Sequence, residues 1–167
     1  MRALVSKIDK LNYWLAGLSG IMLGLMTVLI LVEIFLWNTI QKTTLIADEY
    51  SAYGLAAIVF LGSGYCLQVK GHIRITLVLV LLPKKLSDWI TFFATGVTTV
   101  FMGYLWYFLY SMVNSTFRYN STSGTLTNTP LWIPQSIMLF GAFCFLLQFV
   151  ATTIKTYYAI GTDEEVV

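Results

Sequence analysis

Four apolar runs of 23 to 25 residues, Leu15 to Trp37, Ala47 to Val69, Trp89 to Val113 and Trp132 to Ile154, occupy most of this 167-residue chain. At ~1.5 Å of rise per residue, each run is long enough as a helix to cross the ~30 Å hydrocarbon core of a bilayer with some tilt. The expected fold is an all-α membrane protein with four transmembrane helices, residues 1–167 forming one integral membrane domain. Composition agrees: 57% of residues are hydrophobic, 11% are charged and the mean hydropathy is +0.76. Soluble domains carry about a quarter charged residues, and a soluble core this small could not hide so much apolar surface. The first run is too long for a removable signal peptide and lacks a small-residue cleavage site behind a short apolar core, so it is expected to remain as the first helix.

The formal charge of +2 says little about nucleic acid, because the basic residues lie beside the apolar runs rather than in one patch, and no nucleic-acid partner is expected. Their distribution reports orientation instead. Arg2, Lys7, Lys10, Lys70, Arg74, Lys84, Lys85 and Lys155 fall on one side of the membrane, and only Lys42 and Arg118 on the other. Under the positive-inside rule both termini and the loop between the second and third helices are cytoplasmic. Trp14, Trp37, Trp89 and Trp132 lie within a residue or two of the run boundaries, the headgroup level favoured by amphipathic rings.

Two segments are too apolar for ordinary loops and too short to cross. Ile73 to Leu82 is apolar apart from Arg74 and Thr76, and ten helical residues reach only ~15 Å. It reads either as part of an interfacial arm over about 73–88, with Arg74, Lys84 and Lys85 near lipid phosphates, or as a re-entrant packing element. Residues 2–12 alternate charge with Leu4, Val5, Ile8 and Leu11, which fits a second amphipathic arm leading into the membrane.

Few side chains offer chemistry. Glu33 lies inside the first run, where a carboxylate costs up to a few kcal/mol unless paired, protonated or in reach of water. It could couple a proton or ion, but a structural or partner contact is the simpler reading. Ala16, Gly20 and Gly24 form a small-residue face that admits a close helix neighbour, and Glu33, 900° of rotation beyond Gly24, lies opposite it. The Gly20/Gly24 face is expected inside the bundle and the Glu33 side toward a partner. Asp48 and Glu49 open the second helix, where acids complement the helix dipole and Thr43 or Thr44 could cap; a partner contact is the other reading.

His72 is the single histidine and has no acid or thiol beside it in sequence, so neither a haem, a metal site nor a catalytic triad is expected. Cys66 and Cys144 read as small apolar residues rather than a disulfide. No enzyme activity and no cofactor are expected. The polar loop from Asn114 to Thr129 contains two glycosylation-type triplets, read as chance matches, and Phe117, Arg118 and Tyr119, residue types enriched at protein interfaces.

The order of several short motifs resembles the small membrane subunit of tripartite ATP-independent periplasmic (TRAP) transporters. The motifs are Asp48-Glu49, then Phe60-Leu61-Gly62, then Gly71-His72-Ile73-Arg74-Ile75 and Leu82-Pro83, then Thr129-Pro130-Leu131-Trp132-Ile133-Pro134-Gln135 running on to Gly141. Departures are Ala52 where the family often has Arg, Thr76 where it often has an acid, and Leu139 near a frequent Pro. The resemblance implies a non-catalytic subunit in a bacterial inner membrane. Its partners would be a large many-helix permease, which carries substrate and sodium, and a periplasmic substrate-binding protein. Substrates would be organic acids such as C4-dicarboxylates or sialic acid. Glu33, Asp48, Glu49, Phe117, Arg118, Tyr119 and Trp132 are then the candidate partner contacts. The competing reading is a self-sufficient four-helix exporter in which Glu33 exchanges a proton for substrate.

Overall fold

The computed structural model describes residues 2–69 and 83–159. The stretch 70–82, with His72 and Arg74, lies outside the described residues, as do the side chains of Lys84 and Lys85. Among the described residues there are four helices: α1 (Arg2–Ile40), α2 (Ala47–Gln68), α3 (Lys84–Arg118) and α4 (Trp132–Ala159). All four contain segments long and apolar enough to cross a membrane.

Helices α1, α3 and α4 exceed their apolar runs because hydropathy marks where lipid contact is tolerated, whereas a helix stops only at a stop signal. The expected arm at 2–12 is the first part of α1, a single helix of 39 residues. The part of the second arm from Lys84 onward is the start of α3, which follows Pro83. Gln41, at φ 55°, ends α1 in the left-handed conformation common just past a helix. Beyond Arg118, Ser121 N–H bonds to Thr116 O at 3.1 Å and Asn120 N–H to Phe117 O at 3.3 Å, with Asn120 at φ 46°. This is a Schellman motif, with asparagine supplying the positive φ. Pro134 sits in the first turn of α4, where a missing N–H costs no helical bond.

Among the described residues α1 packs on α2, α2 on α4 and α4 on α3, while α1 meets α4 only lightly. The central core is Leu15, Ala57, Leu61 and Cys144, with Met22 against it. Close approach comes from α2 and α4. The buried face of α2 carries Ala47, Gly54, Ala57, Leu61, Gly64 and Leu67, and a Cβ on Gly141 would stand 2.8 Å from the backbone carbonyl carbon of Phe60. Such small-residue contacts let dispersion act between helices whose association gains nothing from leaving lipid.

The two faces of α1 are the reverse of the expectation. Asn12, Leu15 and Ser19 are buried, and Met26 is so close to Gly54 that a Cβ there would lie 2.3 Å from its sulfur. A Cβ on Gly17, Gly20 or Gly24 would meet nothing within 4 Å, so this stripe faces out of the bundle. Glu33 follows Met26 by seven residues, two turns, and shares the bundle-facing side. The glycines do mark a face suited to a close neighbour, but inside this bundle α2 supplies the small residues and α1 the larger ones.

Candidate functional site: polar locks at both ends of the bundle

At the end holding the α1–α2 loop, Glu33 binds that loop. Its carboxylate accepts hydrogen bonds from the hydroxyls of Thr43 and Thr44, and Thr44 N–H lies 3.1 Å from each oxygen. Thr43 Oγ1 also accepts from Leu45 N–H at 3.1 Å. The chain thus folds back about two turns below the tip of α1, with Gln41 at φ 55° and Leu45 at φ 59°. A leucine in the left-handed region is strained, and the Glu33 contacts hold the loop in that shape. Thr43 and Thr44 therefore do not cap α2: its N-cap is Ile46, with no side-chain cap bond.

Glu49 performs the same task for the α3–α4 loop. It accepts from Tyr53 Oη at 2.8 Å and from the hydroxyls of Thr125 and Thr127. Ser123 and Thr125, and Thr125 and Thr127, pair at 2.8 Å, and Thr129 donates to Thr127 at 3.1 Å. Backbone bonds complete a small closed turn: Ser123 N–H to Thr129 O at 2.9 Å and Leu131 N–H to Ser121 O at 3.1 Å, around the Thr122–Pro130 bridge. An ionised carboxylate only accepts hydrogen bonds, so a cluster of hydroxyl donors is its natural complement. Asp48, one residue earlier, is exposed.

Of the other candidates, Phe117 meets Trp132 edge to face with centroids 5.6 Å apart, which ties the loop ends of α3 and α4. Arg118 is exposed and Tyr119 is 78% exposed. The structure does not gather Phe117, Arg118 and Tyr119 with Glu33; the two carboxylates serve different loops.

The opposite end holds a group that hydropathy reading passed over. Asn12 and Gln148 are both 0% exposed. Asn12 Nδ2 donates to Gln148 Oε1 at 2.8 Å and to Ile8 O at 3.1 Å. Gln148 Nε2 donates to Asp9 Oδ1 at 2.9 Å, and Lys155 Nζ lies 3.0 Å from Asp9 Oδ2. This chain of four side chains pins the start of α1 to the end of α4, two helices that otherwise touch lightly. Gly64 makes room for it: a Cβ there would fall 2.0 Å from Asn12 Oδ1. The available signal was an amide deep in the last apolar run. Burying Gln148 is costly without partners, and Asp9 and Asn12 were the polar residues near the same membrane face.

Both cysteines are free thiols, Cys144 buried and Cys66 half-buried. Among the described residues no three His, Cys, Asp or Glu side chains come together as a metal site. What this chain has are locks between its own segments. The family model for the DctQ component of tripartite ATP-independent periplasmic transporters matches residues 26–157. The chain belongs to the DctQ family. It is therefore a component of a TRAP transporter and a multi-pass membrane protein. The DctQ match contains both loop locks and the Gln148 and Lys155 half of the third, while Asp9 and Asn12 precede it. No curated protein and no solved structure matches the chain.

Proposed function

We propose that this DctQ-family chain is the scaffold subunit of a secondary uptake system for organic acids, seated in the bacterial inner membrane with both termini in the cytoplasm. A large many-helix permease would carry the carboxylate substrate and sodium, and a periplasmic binding protein would deliver the substrate. The observation that carries this reading is where the polar groups go. Glu33 is bonded to Thr43 and Thr44, and Glu49 to Tyr53, Thr125 and Thr127, so both acids brace loops. A carboxylate held this way by its own chain is poorly suited to exchanging a proton for substrate.

The surface for the permease follows from the open stripe of Gly17, Gly20 and Gly24 on α1, where a partner helix can come close. Asp48, Arg118 and Tyr119 are exposed at the loop end and would serve as contacts for the binding protein. Arg74, Lys84 and Lys85 would meet lipid phosphates on the other side. The test is purification in mild detergent with cysteines placed at Gly20 and, separately, at Met26. Co-purification of one large polytopic protein, crosslinked through Gly20→Cys and not Met26→Cys, is the expected result. Recovery of the chain alone or as a homodimer would remove the scaffold reading.

A further inference from the structure

Between α1, α2 and α4 lies a cleft of about 490 Å³, walled by Met22 and Met26 of α1, Tyr53 and Gly54 of α2, and Ile133 and Ile137 of α4. It lies where α1, packed on α2, meets α4 only lightly. The cleft opens sideways, since Leu25, Ile133 and Ile137 on its walls are exposed. Its lining is almost wholly apolar. The polar exceptions stand at the loop end, where Tyr50 Oη and Thr129 Oγ1 are 3.5 Å apart, at the limit of a hydrogen bond.

Size and depth select the occupant. From Tyr50 to Ala57 the cleft follows seven residues of α2, about 10.5 Å, which runs from the headgroup level toward the middle of a ~30 Å hydrocarbon core. An extended hydrocarbon chain is narrow enough, and the methionine side chains on one wall can adapt to it. Hydroxyls at the mouth with an apolar interior match a molecule that is polar at one end and alkyl along the rest.

We propose that this cleft seats one acyl chain of a phospholipid from the leaflet next to the α1–α2 loop, with the headgroup at Tyr50 and Thr129. The lipid fills the cleft and so completes the packing of α1 against α4. The proposal stands on the cleft alone and does not depend on the partner assigned above.

The test uses the full chain in nanodiscs containing phosphatidylethanolamine with a diazirine in its acyl chain, photolysed and mapped by peptide mass spectrometry. Adducts should concentrate on Met22, Met26 and Ile137 relative to the lipid-facing Phe93 and Val100 of α3. Ile137→Trp, which fills the cleft, should lower cleft labelling about tenfold, equivalent to about 1.4 kcal/mol, and leave Phe93 and Val100 labelling unchanged. Leu25→Trp, on the opposite wall, provides the same block if Ile137→Trp fails to fold. Equal labelling of cleft and α3, labelling insensitive to both tryptophans, or crosslinks from the cleft to a second copy of the chain would each overturn the proposal. So would cleft labelling by diazirine-palmitate in the absence of labelling by the phospholipid.

Discussion

Replacing Gln148 with leucine tests whether the buried amide chain is a true coupling between α1 and α4. Gln148→Leu keeps the volume roughly constant and removes two bonds, the one accepted from Asn12 at 2.8 Å and the one donated to Asp9 at 2.9 Å. Asn12 is fully buried and its Oδ1 has no partner, so the loss leaves most of its amide unsatisfied. An orphaned buried polar group costs about 1–3 kcal/mol, whereas interhelical hydrogen bonds in membrane proteins average about 0.6 and reach about 1.7 kcal/mol in double-mutant cycles. Gln148→Leu and Asn12→Leu should therefore each cost about 1–2 kcal/mol. The double variant should be no worse than the poorer single one, because two apolar partners leave nothing unpaired between them. The assay is reversible unfolding by SDS in mixed micelles, followed by tryptophan fluorescence, with the coupling energy taken from the four-member cycle. Strict additivity of the two substitutions would refute the reasoning, since independent costs mean that the two amides do not depend on each other.

Gly141→Ala should destabilise the protein by about 1–3 kcal/mol, because its Cβ would sit 2.8 Å from the Phe60 carbonyl carbon and backbone cannot rotate away; Gly103→Ala, with open space, is the control, and equal unfolding midpoints would remove the close approach. Lys155→Met should cost less than about 1 kcal/mol and make the unfolding midpoint less sensitive to salt, since Lys155 and Asp9 are 44% and 23% exposed; a larger loss would place the pair in a drier setting. At Leu45, φ 59°, glycine should be neutral or up to about 1 kcal/mol stabilising, and valine should destabilise, in the same unfolding assay; a stability loss on Leu45→Gly would show that its side chain matters more than its backbone. Gly24→Leu should leave the isolated chain's stability unchanged and weaken co-purification of the large subunit; retained co-purification would move the interface elsewhere.

Hydropathy made the four long helices of the described residues readable, since each apolar run lies within one of them or matches it to within a residue. Helix ends were not readable from the same signal. Arg2 to Asn12 and Asn114 to Arg118 are polar enough to leave hydrocarbon yet contain nothing that stops a helix, so α1 and α3 run through them. The faces of α1 were legible as two kinds but not as inner and outer, because a glycine stripe reports that something comes close and not which helix does. Glu33 was read as a structural or partner contact, and its donors within the chain were not foreseen. They are Thr43 and Thr44, residues assigned to capping α2, and only the backward fold of the loop brings them down to Glu33. Glu49 was singled out for its place at the start of α2, while its partners Thr125 and Thr127 come from the Ser/Thr-rich loop, 76 and 78 positions away. Asn12 and Gln148, 136 positions apart, could be joined only by tertiary structure.

The placement of the locks along α1 has a mechanical consequence. Asn12 and Glu33 are 21 residues apart, about 31 Å along the axis, close to the ~30 Å thickness of bilayer hydrocarbon. The polar group that Asn12 joins, which reaches water through the Asp9–Lys155 pair, and Glu33 thus stand one near each boundary, and the helix between them is a ruler for the membrane around it. In a thicker bilayer one of the two groups would be drawn into hydrocarbon, and in a thinner one α1 would have to lean further. Membrane thickness is therefore an input to this protein, and its stability should peak where the hydrocarbon layer matches the distance between these two side chains.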